Sequence, residues 1–300
     1  MISNNVPNHL IVGVRTGFLA ALPNIKMNYQ RIAATVPMKT AEMTLTDIGA
    51  APMPVESKGR LQAQDFIEKS KGLHARGWES TVHISQDAVD DDQTGDLYRK
   101  VQSAGDNFQR WLNNRCFKAL NDGDSTSSVF GLCYDGAAMF SASHIDDGAQ
   151  YQTAQDNVSA LALSIDNFET VKVASKKFVD DQGEEIDYDY NLLIVSPELE
   201  RIAAQICKNA DAYDTGNREM NPYAGVTQYI VSPKFDSTAW ILAAENASAK
   251  PIIIGERKAP QLQHAWFDPN GPDGGMYYFK FYARYDVVYG DWRLAHMGNT

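Results

Sequence analysis

Three cysteines in 300 residues, Cys116, Cys133 and Cys207, are too few and wrongly spaced for a zinc site, because no CxxC pair occurs. Their odd number reads as free thiols in a reducing compartment. No apolar run approaches the ~18 residues of a membrane-spanning helix. The start, Met1-Ile2-Ser3-Asn4-Asn5, has no basic segment leading into an apolar one, so a secretory signal is not expected. The P-loop, GxGxxG, HExxH and GxSxG patterns are all missing, and six scattered histidines show no ligand spacing. Positive charge is also scarce: 27 basic side chains face 38 acidic ones, a net charge of -11. Such a chain is a poor general binder of nucleic acid or anionic lipid.

What is present is an ordinary globular composition, 44% hydrophobic and 10% aromatic, which excludes general disorder. The charge is uneven. Residues 1–122 carry net +1, residues 123–220 net -12 and residues 221–300 net zero. An acidic middle module therefore lies between two neutral flanks.

Near the N-terminus Phe18, Leu19, Leu22, Ile25 and Tyr29 form a helical stripe broken by Pro23. Ile32 to Val36, ahead of Pro37, reads as a short strand. Residues 41–85 hold several Gly and Pro and little core. They read as a long two-armed hairpin whose second arm is Trp78 to Ile84, with no evident support in the chain. The clearest helix follows Asp90-Asp91-Asp92. Its stripe is Leu97, Val101, Ala104, Phe108, Trp111, Arg115 with Cys116, and Ala119 with Leu120; it ends at Asn121-Asp122-Gly123. The acids before it suit the helix dipole.

Short strands are expected at Val129–Leu132 and Ala138–Phe140. A helix capped by Asp166, with Glu169 completing a capping box, carries Phe168, Val171, Ala174 with Ser175, and Phe178. Six carboxylates between Asp180 and Asp189 read as a solvated loop or hairpin. Leu192–Val195 is a buried strand, and Ser196-Pro197-Glu198 starts a helix with Leu199, Ile202, Ala203 and Ile206 inward. Gln228–Val231, Ala239–Ala243 and Ile252–Ile254 are further short strands. After a Gly-rich turn at 270–275, Tyr277, Phe279, Phe281, Ala283, Tyr285 and Val287 mark one face of a strong strand.

Three groups of residues invite a chemical reading. Cys133 with His144, and Asp135 or Asp146 nearby, has the residue types of a thiol nucleophile and its base. The plain alternative is a buried cysteine and a loop histidine. His144, Asp146 and Asp147, or Asp90–Asp92, carry metal-ligating groups but match no EF-hand or zinc pattern. The acids of 180–189 offer loose calcium ligands but read better as a solvated surface. The residues alone thus yield no enzyme, no cofactor and no metal site. They yield an acidic module, a long spine helix and an unsupported arm, which together describe a protein completed by its neighbours.

The chain resembles the Mu-like phage major head subunit (gpT) family of major capsid proteins. The resemblance rests on Tyr29-Gln30-Arg31-Ile32-Ala33 to Val36-Pro37, on Trp78-Glu79-Ser80-Thr81-Val82 followed by Asp90 to Gly95, and on Cys133-Tyr134-Asp135-Gly136 with Met139-Phe140 and His144. Further along it rests on Leu192 to Glu200, Asn221-Pro222, Val231-Ser232-Pro233 and Asp286-Val287-Val288-Tyr289-Gly290. The set runs in the family's order over most of 29–290. Ser141 to Ile145, Gln86 and the 41–77 stretch depart from the family pattern.

The resemblance implies an α+β fold of the Hong Kong 97 type. Residues 1–40 would be an N-terminal arm, 41–85 the extended loop, and 86–122 the peripheral domain with its spine helix. Residues 123–262 would be the axial domain, and 263–300 the return strand of the peripheral domain. Arg76, Trp78 and Glu79 are then the expected inter-subunit contacts. The implied function is that of the major head protein of a tailed double-stranded DNA phage or prophage. It would self-assemble as hexamers and pentamers into an icosahedral shell, with portal, scaffold and decoration proteins as partners. It would enclose DNA without reading its sequence and touch no membrane, forming in the host cytoplasm and ending in the virion. The scaffold is expected as a separate protein. Two other readings stand beside this one: an encapsulin-like cellular nanocompartment shell, and a cysteine-dependent hydrolase built on Cys133 and His144.

Overall fold

The computed structural model describes residues 28–48, 68–91, 96–145, 153–209, 220–235, 238–267 and 275–299. The stripe expected from Phe18 to Ile25, the turn at 270–274 and the residues Asp92, Asp146 and Asp147 lie outside this set. Eleven strands and four α-helices are described. Strands β1 (Ala33–Pro37), β9 (Ile252–Phe267), β10 (Met276–Tyr289) and β4 (Arg76–Ser85) form one sheet in the order β1-β9-β10-β4. Strands β5 (Val158–Ser159), β11 (Ala295–Gly298), β8 (Trp240–Ala243), β6 (Leu192–Val195) and β7 (Gln228–Val231) form a second, in the order β5-β11-β8-β6-β7. Strands β2 (Glu42–Ile48) and β3 (Glu68–His74) pair only with each other among the described residues.

The alternation read in β10 is borne out. Tyr277, Phe279, Phe281, Ala283, Tyr285 and Val287 are buried, and the residues between them up to Asp286 are half-exposed. Helix α2 (Asp96–Asn121) is the expected spine, 26 residues and so ~39 Å long. It lays Phe108, Leu112, Cys116, Ala119 and Leu120 into the core, while Trp111 and Arg115 sit half-buried at its flank. Helix α1 (Gln86–Asp90), capped by the Ser85 hydroxyl, links β4 to it. All four residues of β6 and of β8 are buried, as continuous apolar runs in a central position require.

Several expectations need correction. Trp78 to Ile84 is not the second arm of the hairpin. It lies within β4, which pairs antiparallel with β10, Trp78 opposite Ala283 and Ile84 opposite Tyr277. Its alternating face therefore has a support in its own chain, and the second arm of the hairpin is β3. The strands expected at Val129–Leu132 and Ala138–Phe140 are turns, since Gly131 and Gly136 take φ of 81° and 77° and close tight backbone bonds. Helix α3 (Ile165–Ser175) begins two residues before the expected cap: the Ser164 hydroxyl accepts from the Asn167 amide at 3.1 Å, and Asp166 lies within the first turn. The short strand Ile252–Ile254 is the start of the sixteen-residue β9, which is continuous through residue 262. Helix α4 (Glu200–Lys208) follows a 3-10 turn at Pro197–Leu199, with Ala203, Ile206 and Cys207 inward.

Candidate assembly site

The thiol and imidazole that suggested a hydrolase do not meet as nucleophile and base. The Cys133 thiol is buried and contacts Met139 Sδ at 3.7 Å. Burial, with Asp135 nearby, raises its pKa far above the ordinary thiol range. His144 is turned elsewhere. Its Nδ1 lies 2.5 Å from Asp135 Oδ2 and its Nε2 lies 3.1 Å from Asn157 Oδ1. Its ring stacks on Trp292 at 4.1 Å with 5° between the planes. With both nitrogens engaged and no side-chain surface exposed on His144 or Asp135, neither a base nor a metal ligand is available there. The sequence brought Cys133, Asp135 and His144 together, but the partner that organises them, Asn157, carried no signal. Asn157 donates to the carbonyls of Met139, Trp292 and Ala295 and accepts from the Ser141 amide, so it ties the turns after α2 to the approach into β11. Among the described residues no group of three or more His, Cys, Asp or Glu is placed to hold a metal ion.

The surface carries two other features, a two-stranded ribbon and an aromatic frame around an arginine. The β2–β3 ribbon alternates: Met43, Leu45, Lys71 and Leu73 face the body of the subunit, and Thr44, Thr46, Ser70, Gly72 and His74 face outward. A two-stranded ribbon is marginal alone. This one is held at its base by a small cluster of Met38, Leu73, Ala75 and Val288. The Ala75 amide donates to Ala41 O at 2.8 Å, and the His74 amide to Asp286 Oδ2 at 2.7 Å. Gly255 permits the close approach, because a Cβ there would sit 2.6 Å from Met38 Sδ. Beyond the base, a cavity of about 270 Å3 lined by Leu45, Thr46, Ser70 and Lys71 on one side and Val36, Ile253 and Tyr289 on the other lies between ribbon and body. Among the described residues the ribbon is thus held by its base cluster, on which Met43 and Leu45 also pack, and by Lys71, whose amine reaches the body beside Gly131.

The three expected contact residues are split by the pleat of β4. Arg76 and Trp78 share the face turned to α2, and Glu79 is on the opposite face, ion-paired with Lys280. Arg76 is exposed. The Trp78 indole N–H donates to Tyr285 O at 3.3 Å, and its ring lies 4.5 Å from that of Trp111. Arg115, four residues beyond Trp111, places its guanidinium over Trp78, Phe130 and Trp111 at 4.6, 4.8 and 5.8 Å. The sequence placed Arg115 only as a member of the core stripe; the (i, i+4) step from Trp111 was the available signal.

The acidic segment is a turn closed by Asp180, whose Oδ1 accepts from the amides of Gln182 and Glu184 at 2.9 Å. Asp181 is buried, and Glu184, Glu185, Asp187 and Asp189 are exposed.

The model of the Mu-like prophage major head subunit gpT family matches residues 8–162, just over half of the chain. The major capsid protein of Escherichia phage Mu is 27% identical over 135 residues, 45% of this chain and 43% of that one, so the match spans under half of that relative's length. Among solved structures, the procapsid of bacteriophage JBD30 matches over 100% of this chain and 76% of its own, with 20% identity and a TM-score of 0.60. The virus-like particle from Pyrococcus furiosus matches over 95% and 97%, with 10% identity and a TM-score of 0.54. At these identities the structural matches speak for the fold, which is the α+β fold of Hong Kong 97-like capsid subunits. By the family match, the chain belongs to the Mu-like prophage major head subunit gpT family.

Proposed function

We propose that this chain is the major head protein of a tailed double-stranded DNA phage or prophage and that it self-assembles into an icosahedral shell around the genome. The observation that carries this reading is the gpT family match over residues 8–162 on a chain whose fold follows a phage procapsid subunit from end to end. The β2–β3 ribbon supports it, since a two-stranded ribbon with a cavity beneath it is marginal alone and gains from the backing of a neighbour. In this reading residues 1–40 are the arm and 41–75 the extended loop; β4, residues 86–122, β9 and β10 make the peripheral domain, and 123–251 with β11 the axial domain. Arg76, Trp78 and Glu79 lie at a subunit contact. The partners are other copies in hexamers and pentamers, a portal, a separate scaffold and decoration proteins. Assembly takes place in the host cytoplasm, and the product is the virion capsid.

An encapsulin-like shell is the second reading; the fold also matches the virus-like particle from Pyrococcus furiosus, but the family match favours a phage head. The contents decide between them. Particles purified from cells carrying the full gene cluster are expected to hold nuclease-protected double-stranded DNA. Particles filled with a co-purifying protein cargo and no protected DNA would give the nanocompartment reading instead.

A further inference from the structure

The guanidinium of Arg115 lies among three aromatic rings, Trp78, Phe130 and Trp111, and no hydrogen-bond acceptor for it is found among the described residues. A half-buried guanidinium carries five N–H donors, and rings satisfy its charge through their faces but leave those in-plane donors unused. Burial pulls its pKa down, so the subunit alone leaves this cation incompletely compensated. The carboxylate that raises its pKa most, Asp286, accepts from the backbone amides of His74 and Val287. Arg76, exposed on the same face of β4, adds a second positive charge. Beside them lies a shallow groove lined by Trp78, Glu79, Ser80, Asn107, Phe108 and Trp111, where the Glu79 carboxylate is already paired with Lys280.

The complement is plentiful in the same chain. The subunit carries net -11, and Glu184, Glu185, Asp187 and Asp189 are exposed without an ion-pair partner among the described residues. An arginine fixed by stacking loses little entropy on pairing, and its fork matches a carboxylate with two parallel bonds.

We propose that Arg115, framed by Trp78, Trp111 and Phe130 and assisted by Arg76, is a carboxylate-receiving contact for a second copy of this chain. The proposal rests on the shell-forming reading, because it needs the second copy. The carboxylate docks in plane with the guanidinium, and the aromatic rings exclude water around the pair. This is the central, desolvated type of contact, in which one arginine and flanking tryptophans carry a large share of an interface.

The test uses the full-length protein under conditions where the wild type assembles, followed by sedimentation velocity. Arg115→Met is compared with Arg110→Met, which removes an exposed charge from the same helix without touching the rings. Near-UV circular dichroism verifies that each variant is folded. Arg115→Met is expected to weaken association at least tenfold, and Arg110→Met less than twofold. Arg115→Lys supplies a second measurement: it puts an amine in the aromatic frame, and a carbodiimide should join that amine to an Asp or Glu. In a mixture of 14N- and 15N-labelled protein the joined peptides should carry mixed labels, identifying a contact between copies. If folded Arg115→Met assembles like the wild type, or the Lys variant joins only within one chain, this inference is overturned and the shell reading stands. A wild type that never associates overturns both.

Discussion

At the scale of single residues, the most informative position is Asn157. Its side chain makes five hydrogen bonds, and it is fully buried between the turns after α2 and the approach to β11. Asn157→Ala would strip the side-chain donor from the carbonyls of Met139 and Ala295 and leave the Ser141 amide and an imidazole nitrogen without this partner, while Trp292 O keeps the Ala295 amide. Each orphaned buried group costs ~1–3 kcal/mol, so a loss of at least ~3 kcal/mol is expected by urea unfolding. A loss under ~1 kcal/mol would mean that the network is not needed for the fold. His296 makes a different prediction. It is fully buried, with Nε2 2.8 Å from Ser159 Oγ and Nδ1 3.1 Å from Ser175 Oγ, and Phe178 stacks on its ring. Burial lowers its pKa to about 4. The folded state therefore binds fewer protons than the unfolded chain between pH ~6.5 and ~4. Stability from this group is complete above pH ~6.5 and declines as the pH falls towards ~4, by at most ~3 kcal/mol. His296→Gln should flatten that slope between pH 7 and 5 in urea titrations. An unchanged slope would assign the acid sensitivity to the carboxylates.

At the scale of elements, the ribbon and its anchor separate cleanly. Pairing runs from Glu42 opposite His74 to Ile48 opposite Glu68, and the fully buried contacts described are those of Met38, Leu73, Ala75 and Val288 at the base, with Met43, Leu45 and Ile253 packed on them. Replacing residues 49–67 by a short Gly-Ser turn keeps that base. It should leave a cooperatively unfolding subunit that no longer closes shells, as read by circular dichroism and electron microscopy. Loss of the cooperative transition would place those residues in the core. A wider deletion reaching residue 75 is a poorer test, because it removes Leu73 and Ala75 as well.

The same elements show what the sequence can carry. Strand β10, helix α2 and strand β6 were legible because their burial follows a local period, 2, 3.6 or continuous, that needs no knowledge of partners. Strand β4 was legible as a strand but not by partner: Trp78, Val82 and Ile84 fit any apolar face, and only the fold supplies β10. Strand β9 was hidden beyond Ile254 because Glu256, Arg257, Lys258 and Pro260 interrupt the apolar pattern; its pairing along β10 overrides local preference. The cap at Ser164 was obscured by Asp166, an equally good cap two residues later. Site geometry was the least legible, since Asn157 with His144, and Arg115 with Trp78, are joined only in three dimensions.

At the scale of the whole molecule, charge distribution sets how copies meet. The segment 123–220 carries net -12, and within its 180–189 turn the exposed carboxylates are Glu184, Glu185, Asp187 and Asp189; Asp181 is buried and Asp180 closes the turn. If these segments gather around a capsomer axis, like charges face one another. Raising salt from ~10 to ~200 mM shortens the Debye length from ~30 Å to under ~8 Å and should favour association. The half-buried Arg115 contact is screened far less. Changing the four exposed acids to Gln and Asn should flatten the salt response in sedimentation. An assembled fraction that falls with salt, or a four-site variant with an unchanged response, would show that these acids do not face one another.

The most direct measurement is electron microscopy of the purified full-length protein, co-expressed with its scaffold where the gene cluster encodes one. The account predicts closed, hollow polyhedral particles whose reconstruction lays the β2–β3 ribbon of each subunit against a neighbouring copy. A protein that stays a stable monomer with its scaffold present, or particles in which every ribbon packs only on its own subunit, would contradict it.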